Sequence, residues 1–241
     1  MKNSIFYASL LLIFSSFSYS QSVLNYQSGT IIEVQTGASI ITDSIIIDGI
    51  FTGGGTISGY LYTLNLTMQI QGFYNASLDL NIQDTVTAFL KNSSSPYEVV
   101  DSAKVYLSSV GEGTFSFLNA VNGAGYYIQL KHRNSIETWS SSAQMFENGS
   151  LDYDFTTAAN KAFGDNMIQV DASPVRFAMF SGDVNQDGVI DGSDVMITSN
   201  DAYNFVTGYV SSDLNGNGVV DGNDAAIADN NAANFITRIT P

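Results

Sequence analysis

The stretch DVNQDGVIDGSD at residues 183–194 recurs as DLNGNGVVDGND at residues 213–224. Each copy places a side chain with an oxygen atom at positions 1, 3, 5, 9 and 12, and a glycine at position 6. Ca²⁺ takes about six to eight oxygen ligands, and a short loop supplies them only by curling around the ion. The glycine permits the sharp turn that this requires. The pattern therefore predicts two Ca²⁺-binding loops.

Each loop supplies six predicted ligands, at positions 1, 3, 5, 7, 9 and 12, with position 7 acting through its backbone carbonyl. They are Asp183, Asn185, Asp187, Val189, Asp191 and Asp194 in the first loop, and Asp213, Asn215, Asn217, Val219, Asp221 and Asp224 in the second. Position 8 is apolar in both copies, as Ile190 and Val220, and predicts a short β-bridge between the two loops. Clusters of Asp, Asn and Gly also form solvated turns, but two copies with one spacing favour two bound Ca²⁺ ions.

The two copies also agree beyond the loops. Ile197, Ala202, Asn204, Phe205 and Thr207 correspond to Ile227, Ala232, Asn234, Phe235 and Thr237. A repeat this faithful predicts pseudo-two-fold symmetry. Position 12 is Asp, whereas the common EF-hand loop has Glu there. With this variant in two copies, residues 182–241 resemble the type I dockerin family, and the resemblance implies docking on a cohesin-like protein domain.

The positions that family dockerins use for partner contacts differ in this chain. Loop positions 10 and 11 are Gly192-Ser193 and Gly222-Asn223. The hydroxyl pairs and the basic helix residues of cellulosomal dockerins are missing. A cohesin-like partner therefore stands beside two alternatives, which are capping of the chain's own β domain and self-association.

A helix is predicted to begin at the last two positions of each loop and to continue beyond it, because apolar side chains recur there at helical spacing. The two helices are expected at about residues 193–206 and about residues 223–237. Phe205 and Phe235 are expected to pack together as the main core pair of this unit. Exposure of both rings toward a partner is the alternative.

The composition restricts the partners. The chain has 241 residues, 23 acidic and 8 basic, with a formal net charge of −15 and no cysteine. Nucleic acid is excluded as a partner because phosphate binding needs clustered Lys and Arg. The loop carboxylates repel one another without a metal, so the C-terminal unit is expected to need Ca²⁺ to fold.

The first twenty residues have the features of a secretory signal. Lys2 precedes an apolar run at residues 5–14, and small residues lead to a predicted cleavage after Ser20. The run is too short to span a bilayer comfortably. The mature protein is therefore expected to lack a membrane span and to be secreted, in the medium or at the cell surface, where Ca²⁺ is abundant.

Two β regions precede the C-terminal unit. Residues 21–60 alternate short β-branched runs with glycines, which predicts a solenoid-like segment or a strand extension of the next domain. Residues 61–181 show repeated period-2 alternation, as at residues 64–70, which predicts an antiparallel β-sandwich. The fold is thus expected to be mainly β, with a small α unit at residues 182–241.

The sandwich region also carries a resemblance. The aromatic and alternating run at residues 113–132 is similar to the prealbumin-like domains found beside secreted enzymes and adhesins. The wider stretch, from Lys131–Trp139 through Tyr153–Ala159 into residues 181–184, looks like a module that precedes dockerin repeats in secreted proteins of Bacteroidetes-type bacteria. This resemblance implies a location outside the cell and names no activity.

No arrangement in the sequence predicts an active site, so the protein is expected not to be an enzyme. The lone histidine, His132, is interpreted as a surface or strand-end residue. There is no cysteine nucleophile and no Gly-x-Ser-x-Gly elbow. The acidic residues of the sandwich are interpreted as solvated: Glu98, Asp101, Glu112, Glu137, Glu147, Asp152 and Asp154.

Aromatic side chains leave carbohydrate binding open. Trp139, Tyr97, Tyr106 or Tyr127 would offer a stacking platform for a sugar, but a Trp139 half-buried in the sandwich core is the favoured interpretation. The expected function is protein docking that tethers the sandwich at the cell surface or in a polysaccharide-degrading assembly. A self-associating surface protein and a carbohydrate-binding accessory module are the alternatives.

Overall fold

The computed structural model divides the chain into two compact units, Met1–Ser58 and Gly59–Pro241. Residues 61–241 are described in full, and before them the backbone of six short strands is described. The predicted signal segment at residues 1–20 and the side chains of residues 21–60 lie outside the described residues. In residues 61–241, no helix is long and apolar enough to cross a membrane.

The six strands before residue 60 pair in a repeating order. They are β1 Val23–Tyr26, β2 Ile31–Glu33, β3 Ser39–Thr42, β4 Ser44–Ile47, β5 Ile50–Thr52 and β6 Thr56–Gly59. The pairs β1–β4 and β2–β5 are parallel, and β3 pairs with β6. Each of the first three strands thus pairs with the strand three places later, which is the pairing of two stacked rungs in a solenoid.

The second unit contains the remaining strands and both helices. The strands are β7 Tyr62–Thr67, β8 Gln69–Ile70, β9 Tyr74–Asn75, β10 Leu80–Asn81, β11 Thr85–Asn92, β12 Val99–Tyr106, β13 Glu112–Phe117, β14 Gly125–Lys131, β15 Thr138–Trp139, β16 Gln144–Met145, β17 Ser150–Asp154, β18 Ile168–Ala172 and β19 Val175–Met179. The helices are α1 Gly192–Tyr203 and α2 Gly222–Ala233, and short 3-10 turns cover Gln71–Phe73, Ala159–Lys161 and Phe163–Asp165.

The strands form a sandwich of mixed sheets. The largest sheet has the order β12-β11-β14-β15, with β16 on β14, and its pairings are antiparallel. Two smaller sheets have the orders β13-β7-β17 and β18-β19-β8. The prediction of an antiparallel β-sandwich is confirmed for most pairings, and two pairings depart from it, because β17 runs parallel to β7 and β19 parallel to β8. Period-2 alternation fixes which face of a strand is buried and says nothing about the direction of its neighbour.

The alternating residues form one core between these sheets. Leu64 and Leu66 from β7 pack with Leu90 from β11, Phe115 from β13 and Ile128 from β14, and all five are fully buried. Each such side chain stabilises the fold by about 1.5–3 kcal/mol relative to an exposed one. The predicted strand positions are therefore confirmed in this region.

The C-terminal residues form a small helical unit with little core of its own. Val184, Leu214 and Ala228 are buried together, and Val195 and Ile227 pack against them. Both helices end a few residues before the ends predicted for them. The unit belongs to the same compact body as the sandwich.

The prediction that Phe205 and Phe235 form a core pair is wrong. Their side chains are 81% and 86% exposed. Each follows the C-cap of its helix and has a left-handed backbone, with φ of 54°. This conformation reverses the chain after the helix and carries the ring away from the helix pair.

The predicted bridge between the two loops is also wrong. Val189 of the first loop bridges to Thr237, after α2, and Val219 of the second loop bridges to Thr207, after α1. Each loop therefore pairs with the segment that follows the helix of the other copy. The chain reversal after each helix brings that segment alongside the loop.

Candidate metal centre

The start of each helix fixes the last positions of its loop. Asp191 caps α1, where its side chain accepts from the backbone N–H of Ser193, and the side chain of Asp194 accepts from the backbone N–H of Asp191. Asp221, Asn223 and Asp224 repeat this capping box at α2. Carboxylates are favoured at a helix N-terminus by the helix dipole and by its free N–H groups. Positions 9 and 12 are thus held in place by the helices.

The earlier positions of both loops are held by the same three hydrogen bonds. Backbone N–H groups at positions 5, 6 and 7 donate to the side chains at positions 3, 1 and 5. In the first loop these are Asp187 N to Asn185 Oδ1 (2.9 Å), Gly188 N to Asp183 Oδ2 (3.2 Å) and Val189 N to Asp187 Oδ1 (2.9 Å). In the second loop they are Asn217 N to Asn215 Oδ1 (3.0 Å), Gly218 N to Asp213 Oδ2 (3.1 Å) and Val219 N to Asn217 Oδ1 (2.8 Å).

The position 12 carboxylates tie the beginning of each loop to its end. Asp194 is fully buried, and its Oδ1 accepts from the backbone N–H groups of Val184 (2.8 Å) and Asn185 (3.1 Å). Asp224 is fully buried in the same way and accepts from Leu214 N (2.8 Å) and Asn215 N (3.0 Å). The shorter Asp therefore lies close beneath the loop, as the sequence variant requires.

One carboxylate oxygen in each loop has no partner. Asp183 Oδ1 and Asp213 Oδ1 are buried and accept no hydrogen bond from any of the residues that the structure describes. An unpaired buried polar atom costs about 1–3 kcal/mol, and more when it is charged. The same atom is unpaired at the same position of both copies. This fits a loop whose position 1 oxygen is meant to bind a cation.

The charges of the first loop oppose one another. Burial raises the pKa of Asp183 to about 6, and the nearby carboxylates of Asp194 and Asp187 add to this effect. Burial likewise raises the pKa of Asp224 in the second loop. Both pKa shifts mean that, without a bound cation, the ionised forms of these carboxylates are disfavoured. A bound cation would remove this penalty.

The donors of each loop are all oxygen atoms, which suits a hard cation such as Ca²⁺. In residues 61–241, no three carboxylate, imidazole or thiol groups converge closely enough to hold a metal by themselves. The predicted ligand sets contain four aspartates in the first loop and three in the second, beside asparagine side chains and a backbone carbonyl, and in the described residues these aspartates do not converge to that degree. The fit to Ca²⁺ therefore depends on the unpaired oxygens and on the donor chemistry.

The sandwich and the C-terminal unit make contacts with each other that sequence reasoning missed. Arg133 donates from Nη1 to the backbone carbonyl of Val210, and Asn134 Nδ2 donates to the carbonyl of Asp213 at 2.8 Å. Asn231 of α2 donates to the carbonyl of Ser181 at 2.6 Å. The signal in the sequence is the polar run at residues 131–134 directly after the apolar alternation of β14.

His132 directly follows β14, as the strand-end interpretation expects, but it does not lie on the surface. It is buried at the junction, with Nδ1 2.9 Å from Ser135 Oγ and Nε2 3.1 Å from Asp84 Oδ2. Burial lowers the pKa of His132 despite the neighbouring Asp84. The order Ser, His and Asp resembles a catalytic triad, but Ser135 is only 1% exposed, so no substrate carbonyl can reach its hydroxyl. This array packs the junction between the sandwich and the helical unit.

Trp139 lies in the core, as the favoured interpretation of the sequence expects, and the other interpretation, a sugar platform on its ring, is wrong. Trp139 is 5% exposed, and its Nε1 donates to Glu137 at 2.6 Å, so Glu137 is not the solvated residue expected. Tyr97 and Tyr127 meet the Trp139 ring edge to face, at 79° and 65°. A sugar needs an exposed flat ring face, and this cluster does not present the Trp139 face.

Comparison with known proteins gives no close relative. No family model and no curated protein matches the chain. Among solved structures, the chain is similar to a chain of a C-terminal interface mutant of the type II Cohesin-X-Dockerin complex from Acetivibrio cellulolyticus, at 15% identity and a TM-score of 0.41, covering 72% of this chain and 99% of that one. It is also similar to a chain of the N-terminal interface mutant of that complex, at 13% identity and a TM-score of 0.36, covering 73% and 97%. Likenesses of this degree do not assign the chain to a family.

Proposed function

We propose that this protein is a secreted, non-catalytic, Ca²⁺-binding adaptor whose C-terminal loop–helix unit docks on a protein partner and tethers the β-sandwich. The partner is a cohesin-like domain at the cell surface or in a polysaccharide-degrading assembly. Two Ca²⁺ ions hold the loops in their folded shape. Since extracellular Ca²⁺ is about millimolar, the ions are structural rather than signals.

The Ca²⁺ part of the proposal is supported by the loops. The twelve residues at positions 1, 3, 5, 7, 9 and 12 would hold the ions, and the unpaired Oδ1 atoms of Asp183 and Asp213 would gain a partner. The raised pKa of Asp183 indicates that its ionised form lacks a compensating charge. Ca²⁺ would supply that charge and link the two ends of each loop.

The docking part of the proposal is carried by the positions of Phe205 and Phe235. A side chain other than glycine in the left-handed region costs on the order of 1–3 kcal/mol. Neither ring regains this by packing, since both are exposed in the described structure. The same strained and exposed aromatic residue in both copies indicates a role outside the chain. Strain of this kind collects at ligand-binding sites.

The exposed surface extends along α1. Met196 and Tyr203 are seven residues apart on the helix and are 59% and 83% exposed. Residues at this spacing share one face of a helix, so they form an apolar stripe. Exposed apolar stripes on soluble proteins mark sites of protein contact.

Intramolecular capping is favoured by a separate observation and is compatible with docking. Asn231 of α2 is buried and bonded to Gln71 and Ser181, on the sandwich side of the junction. One face of the unit is therefore used within the chain. The α1 face remains open to a partner.

A pull-down tests the adaptor. The mature chain, from residue 21 onward, is immobilised and incubated with the surface fraction of the producing cells in Ca²⁺ or in EDTA. A protein retained only in Ca²⁺ is expected, and Phe205→Ala with Phe235→Ala should release it. Leu118→Ala is the matched control, because this exposed apolar side chain lies on the sandwich. Retention that is equal in EDTA, or unchanged by the Phe substitutions, would refute the proposal.

A further inference from the structure

Arg133 of the sandwich lies beside the position 1 carboxylate of the second loop. Its Nη2 is 3.6 Å from Asp213 Oδ2. The same oxygen accepts from Gly218 N, while Asp213 Oδ1 is the unpaired buried atom. A positive charge therefore stands next to a predicted Ca²⁺ ligand without blocking its free oxygen.

The guanidinium of Arg133 is fixed in this place. Its side chain is 14% exposed, and Nε donates to Asp84 Oδ2 at 2.9 Å. Tyr209 donates to the other oxygen of Asp84 at 2.7 Å, and its ring centroid lies 4.4 Å from Arg133 Cζ. The ring of Phe73 lies on the guanidinium as well, at 5.3 Å. An arginine that is both paired and stacked cannot swing away when a cation enters the loop.

The first loop has no equivalent cation. Of the ion pairs in residues 61–241, none involves a carboxylate of the first loop. The side chain of Arg238 lies against Gly188, but it forms no such pair. The charges at Asp183 are therefore balanced less well than those at Asp213.

The number of ligand carboxylates also favours stronger Ca²⁺ binding by the first loop. The first loop has Asp at positions 1, 5, 9 and 12, whereas the second has Asn217 at position 5 and so has one carboxylate fewer. Ca²⁺ affinity in such loops rises with the negative charge of the ligands. Both effects favour the first loop.

Backbone anchoring gives no reason for the two loops to differ in Ca²⁺ affinity, because both loops begin beside the same residue, Asn134. Asn134 Nδ2 donates to the carbonyl of Asp213 at 2.8 Å, and the carbonyl of Asn134 accepts from Gly182 N at 2.7 Å. The sandwich therefore anchors both loop starts at one point. Charge is the difference that remains.

We propose that Arg133 makes the two Ca²⁺ sites unequal, so that the loop at residues 183–194 fills first and the loop at residues 213–224 is the weaker site. The inference rests on the proposed Ca²⁺ binding. Arg133 is a positioning and charge-compensating residue and not a ligand. It neutralises part of the charge that would otherwise attract the ion.

A Ca²⁺ titration of the mature chain, followed by ¹H–¹⁵N correlation spectra, tests this directly. The amides of Gly188 and Gly218 are the probes, since each donates to the position 1 carboxylate of its own loop. The midpoint for Gly188 is expected at a free Ca²⁺ concentration about tenfold or more below that for Gly218.

Two variants separate the effect of Arg133 from the effect of ligand charge. Asn217→Asp gives the loops equal numbers of carboxylates and leaves Arg133 in place, so a gap of about threefold or more should remain. Adding Arg133→Gln should close it to within about twofold. Equal midpoints in Asn217→Asp would overturn the role of Arg133 even if the arginine variant did not fold.

The outcomes also distinguish this inference from the proposed function. If neither glycine amide shifts with Ca²⁺, the Ca²⁺ proposal itself fails. If both shift at the same concentration in the parent chain, or if Gly218 shifts first, Ca²⁺ binding stands and the inequality of the loops is refuted.

Discussion

The sandwich and the C-terminal helical unit hold together by different means. The sandwich has a continuous apolar core that runs from Tyr62 to Met179. The helical unit buries Val184, Leu214 and Ala228 as a small cluster, and Ile190 and Val220 of the loops are buried as well. So small a core cannot offset the entropy of ordering two helices and two loops. The unit therefore depends on its contacts with the sandwich, and we propose that Ca²⁺ contributes by neutralising its carboxylates.

Buried carboxylates show the same difference. Asp84 in the sandwich is buried, which by itself raises its pKa, yet hydrogen bonds from His132, Tyr209 and Arg133 hold the pKa well below its usual range. Asp183 in the first loop accepts from backbone N–H groups and from no side chain of the described residues, and burial raises its pKa. The sandwich satisfies this buried charge with its own side chains, whereas each loop keeps an unpaired carboxylate oxygen that we propose a Ca²⁺ ion binds.

The largest predicted effect is the loss of stability when one buried leucine is truncated in either of the two cores. Leu64→Ala in the sandwich and Leu214→Ala in the helical unit remove side chains that are both fully buried, and each is expected to cost about 2–5 kcal/mol. Hydrogen exchange in Ca²⁺ should show Leu64→Ala exposing β11 and Leu214→Ala exposing only α1 and α2. Equal loss of protection in β11 in both variants would show that the two regions unfold as one.

A smaller effect depends on pH and on His132, which stays neutral in the folded chain because burial lowers its pKa. The unfolded chain takes up a proton on this histidine near pH 6.5, so stability is present above that pH and is lost as the pH falls below it. The expected loss is up to about 1.4 kcal/mol per pH unit in saturating Ca²⁺. Urea unfolding between pH 5 and 7.5 measures it.

The matched control for this prediction is His132→Gln, which keeps a polar side chain and removes the titration. Its stability should be lower but flatter with pH in the same window. A parent chain with no slope, or a variant with the parent's slope, would show that His132 is not the group responsible. The pKa of Asp84 is lowered in the folded chain, so its contribution to stability is present above about pH 4 and is lost only below that pH.

The smallest effect is a gain in stability. Phe205→Gly should stabilise the helical unit by up to about 1 kcal/mol, because glycine adopts the left-handed backbone without strain. Phe205→Ala keeps the strain and serves as the control. Both should lose partner binding. Thermal melting of both variants beside the parent distinguishes them. A Phe205→Gly chain less stable than the parent would show that the ring packs within the fold, and one less stable than Phe205→Ala would show that the left-handed backbone carries no strain.

Local patterns predicted much of this fold, and the places where they failed have a common reason. Alternation at residues 64–70 and the two repeated loops lie in single stretches of chain, so their strands, turns and helix starts follow from neighbouring residues. The parallel pair β7–β17, the burial of His132 against Asp84 and the contact of Arg133 with Asp213 join distant stretches. No spacing in one sequence records such contacts.

The exposure of Phe205 and Phe235 was hidden for a different reason. Both fit the apolar stripe of a helix that was expected to continue to them, but α1 and α2 end before them. The asparagine before each phenylalanine is the C-cap, and the phenylalanine takes the position where glycine is common. Helix ends are set by this local turn rather than by the apolar period.

A calorimetric titration of Ca²⁺ into the chelator-treated mature chain tests the central claim most directly. The account predicts heat that saturates at about two ions per chain, and loss of that heat when Asp183→Ala and Asp213→Ala are combined. No heat in the parent chain, or the same heat in the double variant, would contradict the claim that these two loops are Ca²⁺ sites.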